Sequence, residues 1–210
     1  MEHSYQVPIH IEILLDGSHS MYHYRHDTLK GFNKFIELQQ QEDTADFTTC
    51  TINYFSEDVV VEKPERMPLL HVKQLNNYEP KGNCTALYYA IKNIIGKLKT
   101  QLNDWKPKPI IIVAVITDGY DNASNKIDPT ATPENIKNII QASDWNWIFM
   151  GALNNVKEEA EKIGITKYQQ FDQEKKYRDL DNPELTYTGT EFGMIELSRN
   201  VSTCIQDSIS

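Results

Sequence analysis

Ile110 to Ile116 is an unbroken run of seven apolar residues, all β-branched except Ala114. Such a run fits a central parallel strand covered on both faces, and it is far too short to span a bilayer. A strand of that kind requires parallel neighbours and helices above and below it. The chain supplies both. Ile9 to Leu15, Phe47 to Phe55, Trp145 to Met150 and Tyr168 to Phe171 read as further strands. Between and after them, apolar residues at helical spacing predict helices over Tyr22–Gln41, Ala86–Leu102, Asn154–Ile163 and Thr188–Ile205. Thr132-Pro133-Glu134 is a capped start for another helix running to about Ser143. Gly31 is a small cost inside the first helix. Ser56-Glu57-Asp58 turns the chain so that Val59 to Val61 pairs back as one short antiparallel edge strand. Pro64 and Pro68 bracket an irregular connection, and His71–Pro80 and Asp172–Leu185 are expected to be loop. The expectation is an open, mostly parallel α/β sheet with helices on both faces, forming one domain over residues 1–210.

Composition narrows the functional classes. With 40% hydrophobic and 24% charged residues, the chain can bury a core. Its net charge of -9 gives no electrostatic footprint for nucleic acid. Cys50, Cys84 and Cys204 are too few and too scattered for a disulfide framework or a zinc site. Met1 to His10 lacks a basic segment followed by an apolar core, so a soluble, cytoplasmic protein with no secretory signal and no membrane span is expected.

In open parallel sheets, ligands sit beyond the carboxyl ends of the strands. Three polar loops leave such ends or lie near them: Asp16 to Ser20, Asn83 to Thr85, and Thr117 to Asp121. Asp16 and Asp118 occupy equivalent places, each just after an apolar run and each followed by glycine. Adjacent central strands would put these carboxylates at one site. In the first loop, Asp16, Ser18 and Ser20 alternate, and oxygen donors clustered in this way suit a hard divalent cation. Taken singly, each loop also reads as a turn or a capping aspartate, because Asp-Gly-Ser and Thr-Asp-Gly are common turn sequences.

The three loops together resemble the von Willebrand factor A domain and its metal-ion-dependent adhesion site. That family's pattern is Asp-x-Ser-x-Ser, then Thr in a second loop, then Asp in a third. Here the parts are Asp16-Gly17-Ser18-His19-Ser20, Thr85 in Cys84-Thr85-Ala86-Leu87, and Asp118 in Ile116-Thr117-Asp118-Gly119. The resemblance covers about Ile9 to Ile163, and Trp145 to Ala152 looks like the intracellular, microbial and viral branch. It implies a Rossmann-like fold. It also implies a metal site in which Ser18, Ser20 and Thr85 are direct ligands and Asp16 and Asp118 act largely through ordered water. The implied ion is Mg²⁺, with Mn²⁺ or Ca²⁺ as alternatives. The implied function is a non-catalytic interaction module whose metal takes a Glu or Asp from another protein.

Two other functions compete with this reading. A Mg²⁺-dependent phosphohydrolase of the haloacid-dehalogenase type also places aspartates at two strand ends. Its chemistry needs Asp-x-Asp, however, and Ser18 stands where the acid/base would be. A structural subunit using the fold without metal is the third reading. Asp121 is expected to cap or order its loop rather than to serve the metal directly. His19 departs from the family pattern, which carries a small residue there. His19, His23 and His26 fall at i, i+4 and i+7, and a solvated polar helix face accounts for them better than a transition-metal site.

Overall fold

The computed structural model describes residues 6–61, 65–152, 156–172, 175–179, 182 and 184–209. In chain order the elements are β1 (Ile9–Asp16), α1 (Arg25–Gln40), β2 (Thr48–Phe55), β3 (Val59–Val61), β4 (Met67–Pro68) and α2 (Leu87–Gln101). There follow β5 (Ile110–Thr117), α3 (Ser124–Ile127), α4 (Pro133–Gln141), β6 (Asn146–Gly151) and α5 (Val156–Lys162). The last are β7 (Lys167–Gln170), β8 (Lys176–Arg178), β9 (Thr186–Thr188) and α6 (Gly189–Ile209).

Among the described residues, the main sheet runs β3-β2-β1-β5-β6-β7, with β4 also paired to β2. The β2–β1–β5–β6–β7 pairings are parallel, and β3 and β4 pair antiparallel to β2. The fold is therefore the expected open, mostly parallel α/β sheet. The sheet is central because β1 and β5 are buried along nearly their whole length. Ile9, Ile11, Ile13 and Leu15 face α1 and α6 with Phe32, Phe35, Met194 and Val201. On the other face, Leu14, Val113 and Val115 meet Ile91, Ile94 and Leu98 of α2 and Ile136 of α4. Each such side chain contributes about 1.5–3 kcal/mol by leaving water. No helix among the described residues is long and apolar enough to cross a membrane.

Several local expectations are corrected. Lys176–Arg178, expected as loop, pairs with Thr186–Thr188 as a separate antiparallel ribbon, so Thr188, expected to open the last helix, is in a strand and α6 begins at Gly189. Three-residue strands are too short to show a period. Packing accounts for this one, as Tyr177 stacks on Phe192 of α6 at 4.2 Å between ring centroids. Met67–Pro68 adds a second antiparallel pair within the connection expected to be irregular. The first helix is preceded by a 3-10 turn over His19–Tyr24, so α1 begins at Arg25 rather than Tyr22. Pro64, Asn154 and part of the 172–185 stretch lie outside the described residues.

Gly31 has a packing reason. A Cβ there would meet Met194 Cγ at 2.8 Å and the Glu191 Cα at 3.0 Å, so α6 crosses α1 against bare backbone. Gly31→Ala would gain up to about 1 kcal/mol of helix propensity and lose about 1–3 kcal/mol to overpacking. Because the Glu191 contact is with backbone, the loss wins. Urea denaturation is expected to show a net destabilisation of roughly 1 kcal/mol or more; an unchanged or raised midpoint would refute the tight α1–α6 approach.

Candidate metal centre

The site grows from the register of β1 and β5. Leu15 pairs with Ile116, so Asp16 and Thr117 come next to each other one step later. The Thr117 hydroxyl donates to Asp16 Oδ2 at 2.5 Å, and the Ser18 amide donates to Asp16 Oδ1 at 2.8 Å. Both carboxylate oxygens are therefore oriented from within the fold. Tyr78 adds a third restraint, its hydroxyl donating to the Asp16 carbonyl.

The second loop is locked to the first through backbone. The Gly82 amide donates to the Gly17 carbonyl at 2.9 Å, and the His19 amide donates to the Gly82 carbonyl at 2.8 Å. A Cβ at Gly82 would overlap Ser56, so only glycine allows this approach. The second and third loops are tied in turn. The Thr85 amide donates to Asn122 Oδ1 at 3.0 Å, and the Asn122 amide donates to the Thr85 carbonyl at 3.0 Å. Asp121 accepts from the Tyr88 amide at 3.1 Å and from the Ser124 amide and hydroxyl. It thus joins the start of α2 to the third loop, as a residue that orders the loop should.

All five residues singled out by sequence converge here. Ser18 Oγ lies 3.0 Å from Ser20 Oγ, and the Ser20 hydroxyl donates to Asp118 Oδ1 at 2.9 Å. Thr85 Oγ1 and Ser20 Oγ both border Gly119, 3.6 and 4.0 Å from where its Cβ would be. Asp16, Ser18 and Thr85 are buried, Asp118 is half-buried, and Ser20 opens to solvent. Thr117, Tyr78 and Asn122 also build the site, although sequence reasoning gave them no role. Thr117 had a signal, since it is the residue beside Asp16 in a parallel pair. Tyr78 and Asn122 had none.

The electrostatics favour a cation. Burial pushes Asp16 up to about 6, against the lowering effect of its hydrogen bonds from Thr117 and Ser18. Burial also raises Asp118, against its hydrogen bond from Ser20. Among the described residues, neither carboxylate has an ion-pairing lysine, arginine or histidine within 4.0 Å. The donor set is all oxygen, mostly neutral hydroxyl. No group of three or more His, Cys, Asp or Glu side chains suited to a softer metal occurs among the described residues. Neighbouring ligands of an octahedral ion bound at about 2.1 Å lie about 3.0 Å apart. Ser18 Oγ and Ser20 Oγ, 3.0 Å apart, are close enough to be neighbouring ligands of one such ion, so the oxygen set fits a hard divalent cation.

The three histidines do not form a ligand set. The 3-10 turn carries three residues per turn, which stacks i on i+3 instead of i on i+4. His19 stacks on Tyr22 at 5.5 Å with ring planes 15° apart, and His23 meets Tyr22 edge-on. All three histidines are exposed.

Solved structures share this architecture. The mussel byssus proximal thread matrix protein 1, in a form with a zinc-occupied MIDAS motif, is 18% identical. Its TM-score is 0.54, over 75% of this chain and 41% of that one. Manganese-loaded TRAP protein of Plasmodium vivax is 17% identical with a TM-score of 0.57, over 76% and 63%. A von Willebrand factor type A structure from Catenulispora acidiphila is 16% identical with a TM-score of 0.58, over 91% and 42%. The chain thus spans less than two thirds of the length of each. No protein-family model matches the chain, and no curated protein matches it. At these identities the likeness shows the fold, which is of the von Willebrand factor A type.

The raised Asp16 gives a signed pH dependence. An acid whose folded value lies above its unfolded value of 3.8 holds its proton more tightly when folded. Folding then takes up a proton between about pH 4 and 6, and stability falls as pH rises through that window. The loss is on the order of 3 kcal/mol if nothing compensates. Melting in chelator should therefore show this group's contribution decline from pH 4 to 7. Added Mg²⁺ should raise the melting temperature more at pH 7 than at pH 5. Equal shifts at both pH values would refute the electrostatic account.

Proposed function

We propose that the chain is a divalent-cation-dependent protein-interaction module that works by binding, without a catalytic step. Asp16, Ser18, Ser20, Thr85 and Asp118 are the residues that would hold the ion, with Mg²⁺ preferred and Mn²⁺ or Ca²⁺ as alternatives. The observation that carries the reading is the convergence of three hydroxyls with two desolvated carboxylates that no cationic side chain offsets. When bound, the ion supplies a Lewis-acidic position that takes a carboxylate oxygen from a partner's Glu or Asp.

The protein's own residues prepare that position. Thr117, the Ser18 amide and Tyr78 fix Asp16 before any partner arrives, so little ordering remains at the moment of binding. Ser20 is the exposed member of the set and marks the side from which a partner approaches. The zinc- and manganese-loaded structures of similar fold support a divalent ion at such a site.

Asp118→Ala should weaken Mg²⁺ and Mn²⁺ binding by about 10- to 100-fold in calorimetry. It should also abolish metal-dependent retention of partner proteins from a native extract, while the far-ultraviolet circular dichroism spectrum stays that of the parent. Retention that survives both this substitution and chelation would sink the metal-centred reading.

A further inference from the structure

Beside the metal loops stands a column of side chains that the proposed ion site does not use. His19, Tyr22 and Arg25 recur every third residue, and the 3-10 turn that begins at His19 stacks them. The Arg25 Cζ lies 4.0 Å from the centroid of the Tyr22 ring, whose other stacking partner is His19. Arg25 Nη1 donates to the Tyr22 carbonyl at 2.8 Å. Two contacts thus hold the guanidinium against one tyrosine. Its Nε and Nη2 take no acceptor among the described residues, which leaves part of the donor fork for a carboxylate.

The column is rigidly attached to the site. His19 lies between Ser18 and Ser20, and its amide is pinned to the Gly82 carbonyl. Tyr22 is 39% exposed, so the column forms surface and not core. Near it Lys81 pairs with Glu79, and the His23 side chain is exposed. Glu79 is held below its ordinary value by Lys81 first and by Arg25 least. Glu79 is thus matched by Lys81, and Arg25 makes no ion pair of its own among the described residues. In a chain of net charge -9, Arg25 is a cation held close to the loops of the proposed ion site, with part of its donor fork taking no acceptor among the described residues.

We propose that Arg25 is a second anchor for the same partner, which presents two acidic side chains. One goes to the metal-site position and the other to the Arg25 guanidinium. This rests on the metal-dependent reading above. Through Tyr22, the guanidinium lies roughly 10 Å or less from the ring of His19, the residue between Ser18 and Ser20, so one short extended segment can reach both anchors. The partner segment therefore carries its two acids on one short stretch, with one separation favoured over the others.

The test uses the full chain and a set of labelled Gly/Ser peptides. These carry either one Glu or two Glu at separations from one to seven residues, and binding is read by fluorescence anisotropy in Mg²⁺ and in chelator. Peptides with two Glu at the favoured separation should bind about 5-fold tighter than the single-Glu peptide, and the gain should shrink in high salt. Arg25→Ala should remove the gain while leaving single-Glu binding and Mn²⁺ affinity unchanged. Arg25→Lys, which keeps the charge and loses the planar fork, should restore only part of it. Peptides that gain nothing from a second Glu at any separation would overturn the proposal, as would a gain that persists in Arg25→Ala. So would a failure of every peptide to bind a protein that still binds Mn²⁺. Single-Glu binding that is equal in Mg²⁺ and chelator would instead overturn the metal-dependent reading, and the two failures are told apart by that arm.

Discussion

The parallel pairing of β1 with β5 is the constraint on which the rest depends. Both strands are buried on both faces, so their register is set by side chains that cannot slip without exposing a whole row to water or helix backbone. That register ends with Leu15 beside Ile116. The two chains then leave the sheet together, and the aspartates at their ends have nowhere to be but side by side. Everything polar at that end, from the Thr117 hydroxyl on Asp16 to the Ser20 hydroxyl on Asp118, is a consequence of two apolar runs having been paired correctly.

Much of this was legible in the sequence because it follows from strong local signals. The Ile110–Ile116 run announces a central strand, and two apolar runs that each end in Asp-Gly announce equivalent loops. Thr132-Pro133 is a start signal that the structure repeats, with Thr132 Oγ1 accepting from the Asn135 amide. What could not be read depends on contacts between distant segments. Tyr78 lies in a loop with no period, yet its hydroxyl reaches the backbone of Asp16. Asn122 looks like any turn asparagine until the start of α2 comes to rest on it. Gly31 reads as a weak point in a helix and turns out to be the place where α6 crosses. The three histidines are solvated, as their spacing suggests, but they do not share one helix face, because His19–Tyr24 winds at three residues per turn and no residue there signals the change.

The same short turn shows how local winding sets what a surface can recognise. Wound as an α-helix, the segment would bring His19 near His23 and leave Arg25 on another face. Wound more tightly, it aligns His19, Tyr22 and Arg25 and stacks the guanidinium on the Tyr22 ring. The backbone that fixes His19 to Gly82 also fixes where this column begins. The turn and the loops of the candidate site are therefore joined through backbone.

β1 carries two buried carboxylates, and their surroundings differ. Glu12, in the middle of the strand, is met by His10 Nε2 at 2.7 Å and Asn53 Nδ2 at 2.8 Å, with Lys97 Nζ 3.8 Å away. Its charge is answered by side chains, and it knits β1 to β2 and α2. Asp16, at the strand end, is equally buried but is answered only by a hydroxyl and an amide, neither of which carries charge. Burial then pushes its proton affinity up, and an ionised Asp16 needs a positive charge the chain does not supply. A carboxylate closed off by histidine, asparagine and lysine holds a fold together. One left four residues further on, at the mouth of the sheet, has no cationic side chain within 4.0 Å among the described residues, and the proposed ion site rests on that contrast.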